Sequence, residues 1–236
     1  NNPYNTNLDR NPANFQPLTP LTFLERAASV YPNHTAIVHG KLRRNYSDFY
    51  SRSRQLASAL YEQGIARGDT VSVILSNTPA MLEAHYGVPM CGAVLHSINT
   101  RLDPDTIAYQ LDHANSKALI VDREFLKTAK TSLELAGVSP ILIEFNDSEH
   151  TIKESLPGAI EYGEFLLKGD KNYNWLMPED EWDAISLNYT SGTTGNPKGV
   201  VSHHRGAYLL AQGNAMIASI KKHSVYLWTL PMFHCN

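Results

Sequence analysis

Residues 190–199 read Thr-Ser-Gly-Thr-Thr-Gly-Asn-Pro-Lys-Gly, a stretch whose side chains and backbone both suit phosphate oxygens. The hydroxyls of Thr190, Ser191, Thr193 and Thr194 offer donors beside a run of backbone N–H groups. Gly192, Gly195 and Gly199 permit a tight turn and a close approach of main chain to ligand. Lys198 adds a mobile positive charge, and Pro197 holds the loop's exit at a fixed φ. The spacing is not that of a Walker A loop, which needs Gly, four residues, then Gly-Lys-Ser/Thr. Here Gly192 is followed by Gly195 and Lys198, and Gly199 comes after the lysine. By composition alone the stretch also fits an ordinary surface loop. Its position argues for a site: Ala184 to Tyr189 reads as a strand, and open α/β sheets bind ligands beyond strand ends.

The longer string from Tyr189 to Val200 resembles the phosphate-binding signature of the adenylate-forming, AMP-binding enzymes. These include acyl-CoA ligases, luciferases and peptide-synthetase adenylation domains. A second stretch, Tyr226-Leu-Trp-Thr-Leu-Pro-Met-Phe-His-Cys-Asn236, resembles the segment that walls the acyl pocket of acyl-CoA ligases. The residue matching the pocket histidine or aromatic is His234. The same stretch also reads as a core strand, Val225 to Leu230, ending at Pro231 with His234 in a plain loop. His204 falls at the family's usual histidine position, and a structural role is expected of it.

The resemblance implies that Thr190, Ser191, Gly192, Thr193, Thr194, Gly195, Lys198 and Gly199 hold ATP, with Lys198 as the catalytic positive charge. It implies Mg2+ bridging phosphate oxygens, touching a hydroxyl such as Thr190, and coenzyme A as co-substrate. The reaction implied is activation of a small carboxylic acid to an acyl-adenylate and then an acyl-CoA. Four segments, Asp9 to Asn14, Pro17 to Pro20, Asn99 to Leu102 and His203 to Tyr208, resemble one subgroup. It holds short- and medium-chain fatty acyl-CoA ligases, plant acyl-activating enzymes and bacterial 3-methylmercaptopropionate-CoA ligases. A short fatty acid or 3-methylmercaptopropionate is therefore the expected substrate. An amino-acid adenylation domain of a peptide synthetase remains the alternative, as does a non-catalytic truncated product.

Family chains are much longer than this one. Their later motifs carry the magnesium carboxylate, the ribose aspartate, the hinge and the lysine of the C-terminal lid domain. Residues 1–236 are thus expected to be an incomplete N-terminal AMP-binding domain, inactive by itself, with a homodimer of the full-length enzyme left open.

Composition agrees with a folded enzyme piece. Hydrophobic residues make up 42% of the 236, enough for a sizeable core, and no apolar run approaches the ~20 residues of a membrane helix. A net charge of −3 with scattered basic residues gives no electrostatic case for nucleic acid. Asn1 to Gln16 is polar and short on charge, unlike a signal peptide. Cys91 and Cys235 cannot form a disulfide framework or zinc site and fit a reducing cytoplasm, or a peroxisome if a C-terminal address exists.

The elements that must position the loop alternate between strand and helix. Thr22-Phe-Leu-Glu25 reads as a capping box opening a helix through Val30. Thr35 to His39 is a strand, and Ser47 caps a helix to Gln63 that Gly64 closes. Thr70 to Leu75, Ala93 to Ile98, Ala118 to Val121 and Ile141 to Phe145 are further strands. Thr78-Pro79 and Asp103-Pro104 each start a helix with a cap followed by proline, the second ending near Ala114. Arg123 to Ala136 is helical, and a short helix lies near Tyr162 to Leu167 within surface loops. Asp180 to Asp183 reads as a solvated acidic turn and not a metal site. The alternation predicts an α/β fold, parallel-rich sheets flanked by helices.

Overall fold

The structure, a computed structural model, describes residues 2–190 and 196–235. After an N-terminal arm comes α1 (Leu21–Val30), then a hairpin of β1 (Thr35–His39) and β2 (Leu42–Asn45) leading into α2 (Tyr46–Glu62). Alternating units follow: β3 (Thr70–Ile74), α3 (Pro79–Met90), β4 (Val94–Ser97), α4 (Pro104–His113), β5 (Ser116–Asp122), α5 (Leu126–Leu135) and β6 (Ile141–Phe145). The chain continues through β7 (Ile160–Glu161), α6 (Tyr162–Leu167), β8 (Ala184–Tyr189), β9 (Gly199–His203) and α7 (His204–Ile217).

Seven strands form one sheet in the order β7-β6-β5-β3-β4-β8-β9, parallel except for the β8–β9 pair. From β3 the chain first steps to β4, then returns across β3 to β5. Right-handed crossovers therefore send α3 to one face and α4 and α5 to the other. The core divides accordingly. Leu56, Leu60, Val71, Val73, Met81 and Ala84 pack on the α2–α3 side, and Ile74, Ile107, Leu111, Leu119, Val121 and Leu126 on the α4–α5 side. Alternation along β3 and β5 puts successive residues on opposite faces, so a continuous apolar run serves both layers.

The α2–α3 layer is closely fitted. A Cβ on Gly87 would stand 2.8 Å from the Ser53 carbonyl oxygen, so α3 carries a glycine where α2 crosses it. Glu83, fully buried in α3, accepts hydrogen bonds from Arg44, from Arg52 Nε at 2.7 Å and from the Tyr162 hydroxyl at 2.9 Å. A carboxylate so placed is tolerable only because cations and a hydroxyl engage both its oxygens.

Most expected elements are present, and several details differ; Thr78 stands at the start of α3 but its side chain makes no capping hydrogen bond. The capping box does not form: Thr22 donates its hydroxyl to the Thr19 carbonyl at 2.8 Å, and Glu25 accepts from the Tyr50 hydroxyl at 3.1 Å. The helix instead starts at Leu21, behind Pro20. Ser47 is not the cap of α2; Asn45 is, its side-chain oxygen accepting from the Asp48 N–H at 2.8 Å. Asn45 ends β2, so the chain is already helical at Ser47. Gly64 closes that helix as expected, at φ +86°. Val225 to Leu230 forms no strand, and Val225 and Leu227 are exposed. A strand needs a hydrogen-bonded neighbour, and among the described residues none lies alongside. The strands β2, β7 and β9 and the helix α7 have no counterpart among the expected elements.

Candidate nucleotide and acyl site

The 190–198 loop closes a hairpin between β8 and β9, its strands brought together by the antiparallel register Ala184–His203 to Tyr189–Gly199. At the neck, the Thr190 N–H donates to the Lys198 carbonyl at 3.0 Å, and the Lys198 N–H donates to Thr190 Oγ1 at 3.3 Å. The Thr190 hydroxyl thus ties the two sides of the loop, and Thr190 and Lys198 are both exposed. Among the described residues no hydrogen bond or ion pair engages the Lys198 ammonium. Ser191, Gly192, Thr193, Thr194 and Gly195 lie outside the described residues. Gly199 sits in β9 opposite Tyr189.

A second stretch is pinned to the same strand ends. Asn77, just beyond β3, donates its amide to the Leu230 carbonyl at 2.8 Å and accepts from the Met232 N–H at 2.8 Å. Asn188 of β8 donates to the Phe233 carbonyl at 2.9 Å. Met232 and Phe233 are buried, whereas His234 is exposed, its ring 4.5 Å from that of Phe233. Two asparagine side chains therefore replace the ladder that an added strand would supply. They hold the His234 segment beside the chain that enters the loop, since Asn188 precedes Thr190 by two residues.

Helix α4 braces the neck from its own side. Tyr109 donates its hydroxyl to the Pro197 carbonyl at 3.4 Å, and His113 Nδ1 shares a 2.7 Å hydrogen bond with the Tyr189 hydroxyl. Burial pushes the Tyr189 phenol up to about 12, so it stays protonated near neutrality. Asn77, Asn188, Tyr109 and His113 carry no signal in the sequence that would have marked them, apart from the position of Asn77 three residues past the end of β3.

His204 opens α7 and is buried, with Nδ1 2.8 Å from Thr19 Oγ1. Burial pushes its pKa down to about 4, which keeps the ring neutral. Its surroundings are those of a packed structural histidine. The acidic turn is consumed locally: Asp183 accepts from the N–H groups of Glu179 and Asp180 at 3.1 Å each, and Glu181 pairs with Arg205. Among the described residues, no three acidic, histidine or cysteine side chains come together as a set that could hold a metal ion. A groove of about 490 Å³ lies between the N-terminal arm, α1 and Tyr208, and none of the neck residues lines it.

The family model described as AMP-binding enzyme matches residues 24–236. The chain belongs to the AMP-binding enzyme family. An acetate/butyrate–CoA ligase of Arabidopsis thaliana, named as peroxisomal, is 51% identical over 97% of this chain and 42% of its own length. An acetate–CoA ligase of Humulus lupulus is 47% identical over 97% of this chain and 42% of its own. This AMP-binding chain thus spans well under half the length of those relatives. Among solved structures, an anthranilate CoA ligase in complex with anthranoyl-AMP superposes with a TM-score of 0.77. It is 24% identical, over 84% of this chain and 37% of that one. A long-chain-fatty-acid-CoA ligase of Archaeoglobus fulgidus gives a TM-score of 0.78 at 22% identity, over 93% and 44% of the two chains. These likenesses establish that the AMP-binding fold described above is shared.

Proposed function

We propose that this chain is the incomplete N-terminal domain of an AMP-forming acyl-CoA ligase that activates a small carboxylic acid. The observation that carries the reading is the Asn188–Phe233 hydrogen bond at 2.9 Å, which sets the His234 segment beside the neck of the 190–198 loop. One wall serves the acyl carboxylate and the other the phosphates. In the first step a carboxylate oxygen attacks the α-phosphorus of ATP, the α–β phosphoryl bond breaks, and pyrophosphate leaves with the electron pair. In the second, a coenzyme A thiol attacks the acyl carbonyl, AMP departs, and the thiol proton passes to solvent.

Such chemistry asks the protein mainly to neutralise and orient charge. Thr190, Ser191, Gly192, Thr193, Thr194, Gly195 and Gly199 provide hydroxyl and main-chain donors to the triphosphate. Lys198, exposed with an unengaged ammonium among the described residues, provides the positive charge. ATP enters as its magnesium complex. Thr190 is exposed, and its hydroxyl keeps a lone pair beyond the one used by Lys198, which suits a contact with the ion. His234, exposed beside a buried Phe233, borders the carboxylate.

The relatives' names, acetate, butyrate and 2-methylpropanoate among them, support a short aliphatic acid, with 3-methylmercaptopropionate of comparable size. Others are named for benzoate and trans-cinnamate, so the pocket's depth decides between them. A cytoplasmic location, or a peroxisomal one as in the Arabidopsis names, and a homodimeric full-length enzyme belong to the same proposal. No helix among the described residues is long and apolar enough to cross a membrane.

Carboxylate-dependent exchange of pyrophosphate into ATP by the full-length protein tests the reading. Acetate, butyrate or 3-methylmercaptopropionate is expected to support exchange, and Lys198→Ala to slow it roughly a hundredfold with the fold intact. Formation of ADP in place of AMP overturns the reaction class. An unchanged rate removes Lys198 from the mechanism. Residues 1–236 alone are expected to show no exchange.

A further inference from the structure

The groove of about 490 Å³ between the N-terminal arm, α1 and α7 is fixed from both sides. On the arm, the Leu18 N–H donates to Glu181 at 3.0 Å and Thr19 Oγ1 lies 2.8 Å from His204 Nδ1, which holds that wall to the start of α7. Across the groove, Phe23 of α1 stacks on Tyr208 of α7 with ring centroids 4.7 Å apart. Pro17, Leu18, Phe23, Val30 and Tyr208 give the lining an apolar body, and Arg26 gives it a positive charge. Glu25, also in the lining, is engaged by the Tyr50 hydroxyl of α2 at 3.1 Å. A preformed concavity of this size, apolar with a few polar groups, is the usual form of a small-molecule site.

The C-terminal end of α1 gathers more positive charge. Lys222 holds its ammonium 4.8 Å over the Tyr31 ring. A hydrogen bond from Lys222 foremost, and the charge of Arg26 with it, keep the Tyr31 phenol below its ordinary value. Lys222 is presented by a turn in which the Ser224 N–H donates to the Lys221 carbonyl at 3.0 Å. His223, third in that turn, has φ +62°, where glycine or asparagine is favoured. Its ring lies 4.9 Å from that of Tyr31 and 4.2 Å from that of His34, which stacks on Tyr46 at 6.3 Å. Desolvation, then His34 and Lys222, hold the His223 imidazole below its ordinary value. Among the described residues no ion pair engages Arg26, Lys221 or Lys222. Like charges gathered in this way repel, and an anion among them relieves the repulsion.

We propose that the groove between α1 and α7 binds an amphipathic phosphomonoester, with its phosphate on Arg26 and Lys222 and its apolar body along Phe23 and Tyr208. The planar guanidinium fork and a neighbouring ammonium suit a phosphate dianion. The stacked aromatic pair and Val30 suit a flat or aliphatic body. A phosphate seated there favours the charged form of the nearby His223 ring and so raises its pKa. The site is separate from the neck of the 190–198 loop, whose residues do not line the groove.

Calorimetric titration of the full-length protein with naphthyl phosphate, naphthol and inorganic phosphate tests this. Naphthyl phosphate is expected to bind about tenfold more tightly than either half alone, because only the whole ligand meets both the cations and the aromatic pair. Arg26→Ala combined with Lys222→Ala is expected to weaken that binding about tenfold, the worth of a charge-assisted contact. Both residues are exposed, so the unfolding midpoint should hold. The Cε1 proton of His223, assigned by its loss in His223→Gln, should titrate at higher pH with naphthyl phosphate present. Naphthol binding as tightly as naphthyl phosphate overturns the proposal, as does affinity that the double variant retains. An unmoved His223 titration, or no binding of naphthyl phosphate at all, overturns it equally.

Discussion

At the scale of single residues, identical side chains do different work because their surroundings differ. His234 is exposed at the proposed acyl wall, whereas His204 is buried against Thr19 and held neutral. In the folded protein the His204 pKa is depressed to about 4, while an unfolded histidine titrates near 6.5. The unfolded state thus binds the proton first as acid is added. The stability that His204 contributes is complete above about pH 6.5 and is lost progressively as pH falls toward 4. Between pH 7 and pH 5 the loss from this residue is about 2 kcal/mol. Urea unfolding of wild type and His204→Gln at both values checks it: the variant's acid loss should be smaller by that amount. Equal losses in the two proteins would show that the ring already titrates normally.

At the scale of elements, the site depends on side chains that stand in for missing backbone partners. Asn77 supplies two of the hydrogen bonds that hold the Leu230–Met232 main chain at the end of β3. Asn77→Ala leaves that segment attached through Asn188 and through buried Met232 and Phe233. The Met232 amide should exchange with solvent about three- to tenfold faster, the worth of one modest hydrogen bond. In the full-length protein KM for carboxylate should rise while KM for ATP stays. Unaltered exchange at Met232 would mean that apolar burial alone places the segment.

At the scale of the whole molecule, one side is well covered and the other is not. The sheet's β9 edge carries exposed Val200 and Val201, α7 exposes Leu210, Met216 and Ile217, and the following segment exposes Val225, Leu227 and Leu230. Apolar surface of this extent is uncommon on a monomeric soluble protein. An unpaired strand edge adds a template for association. Residues 1–236 expressed alone are therefore expected to self-associate, as read by size-exclusion chromatography with light scattering. A monomer with a sharp, reversible unfolding transition would contradict this.

The alternation of strands and helices and the proline-led starts of α3 and α4 were legible in the amino-acid order. Each rests on neighbours in the chain: a period of apolar residues or a fixed φ. Local signals failed where two adjacent candidates competed, as Asn45 did with Ser47, and where a strand-like run, Val225 to Leu230, found no neighbour. The tertiary structure alone decided what surrounds the loop. Asn77 meets Leu230 and Met232, His113 meets Tyr189, Tyr109 meets Pro197 and Asn188 meets Phe233, every pair far apart in sequence. No periodicity encodes such pairs. They exist because the sheet order brings the ends of β3 and β8 to one rim, with α4 packed beside it.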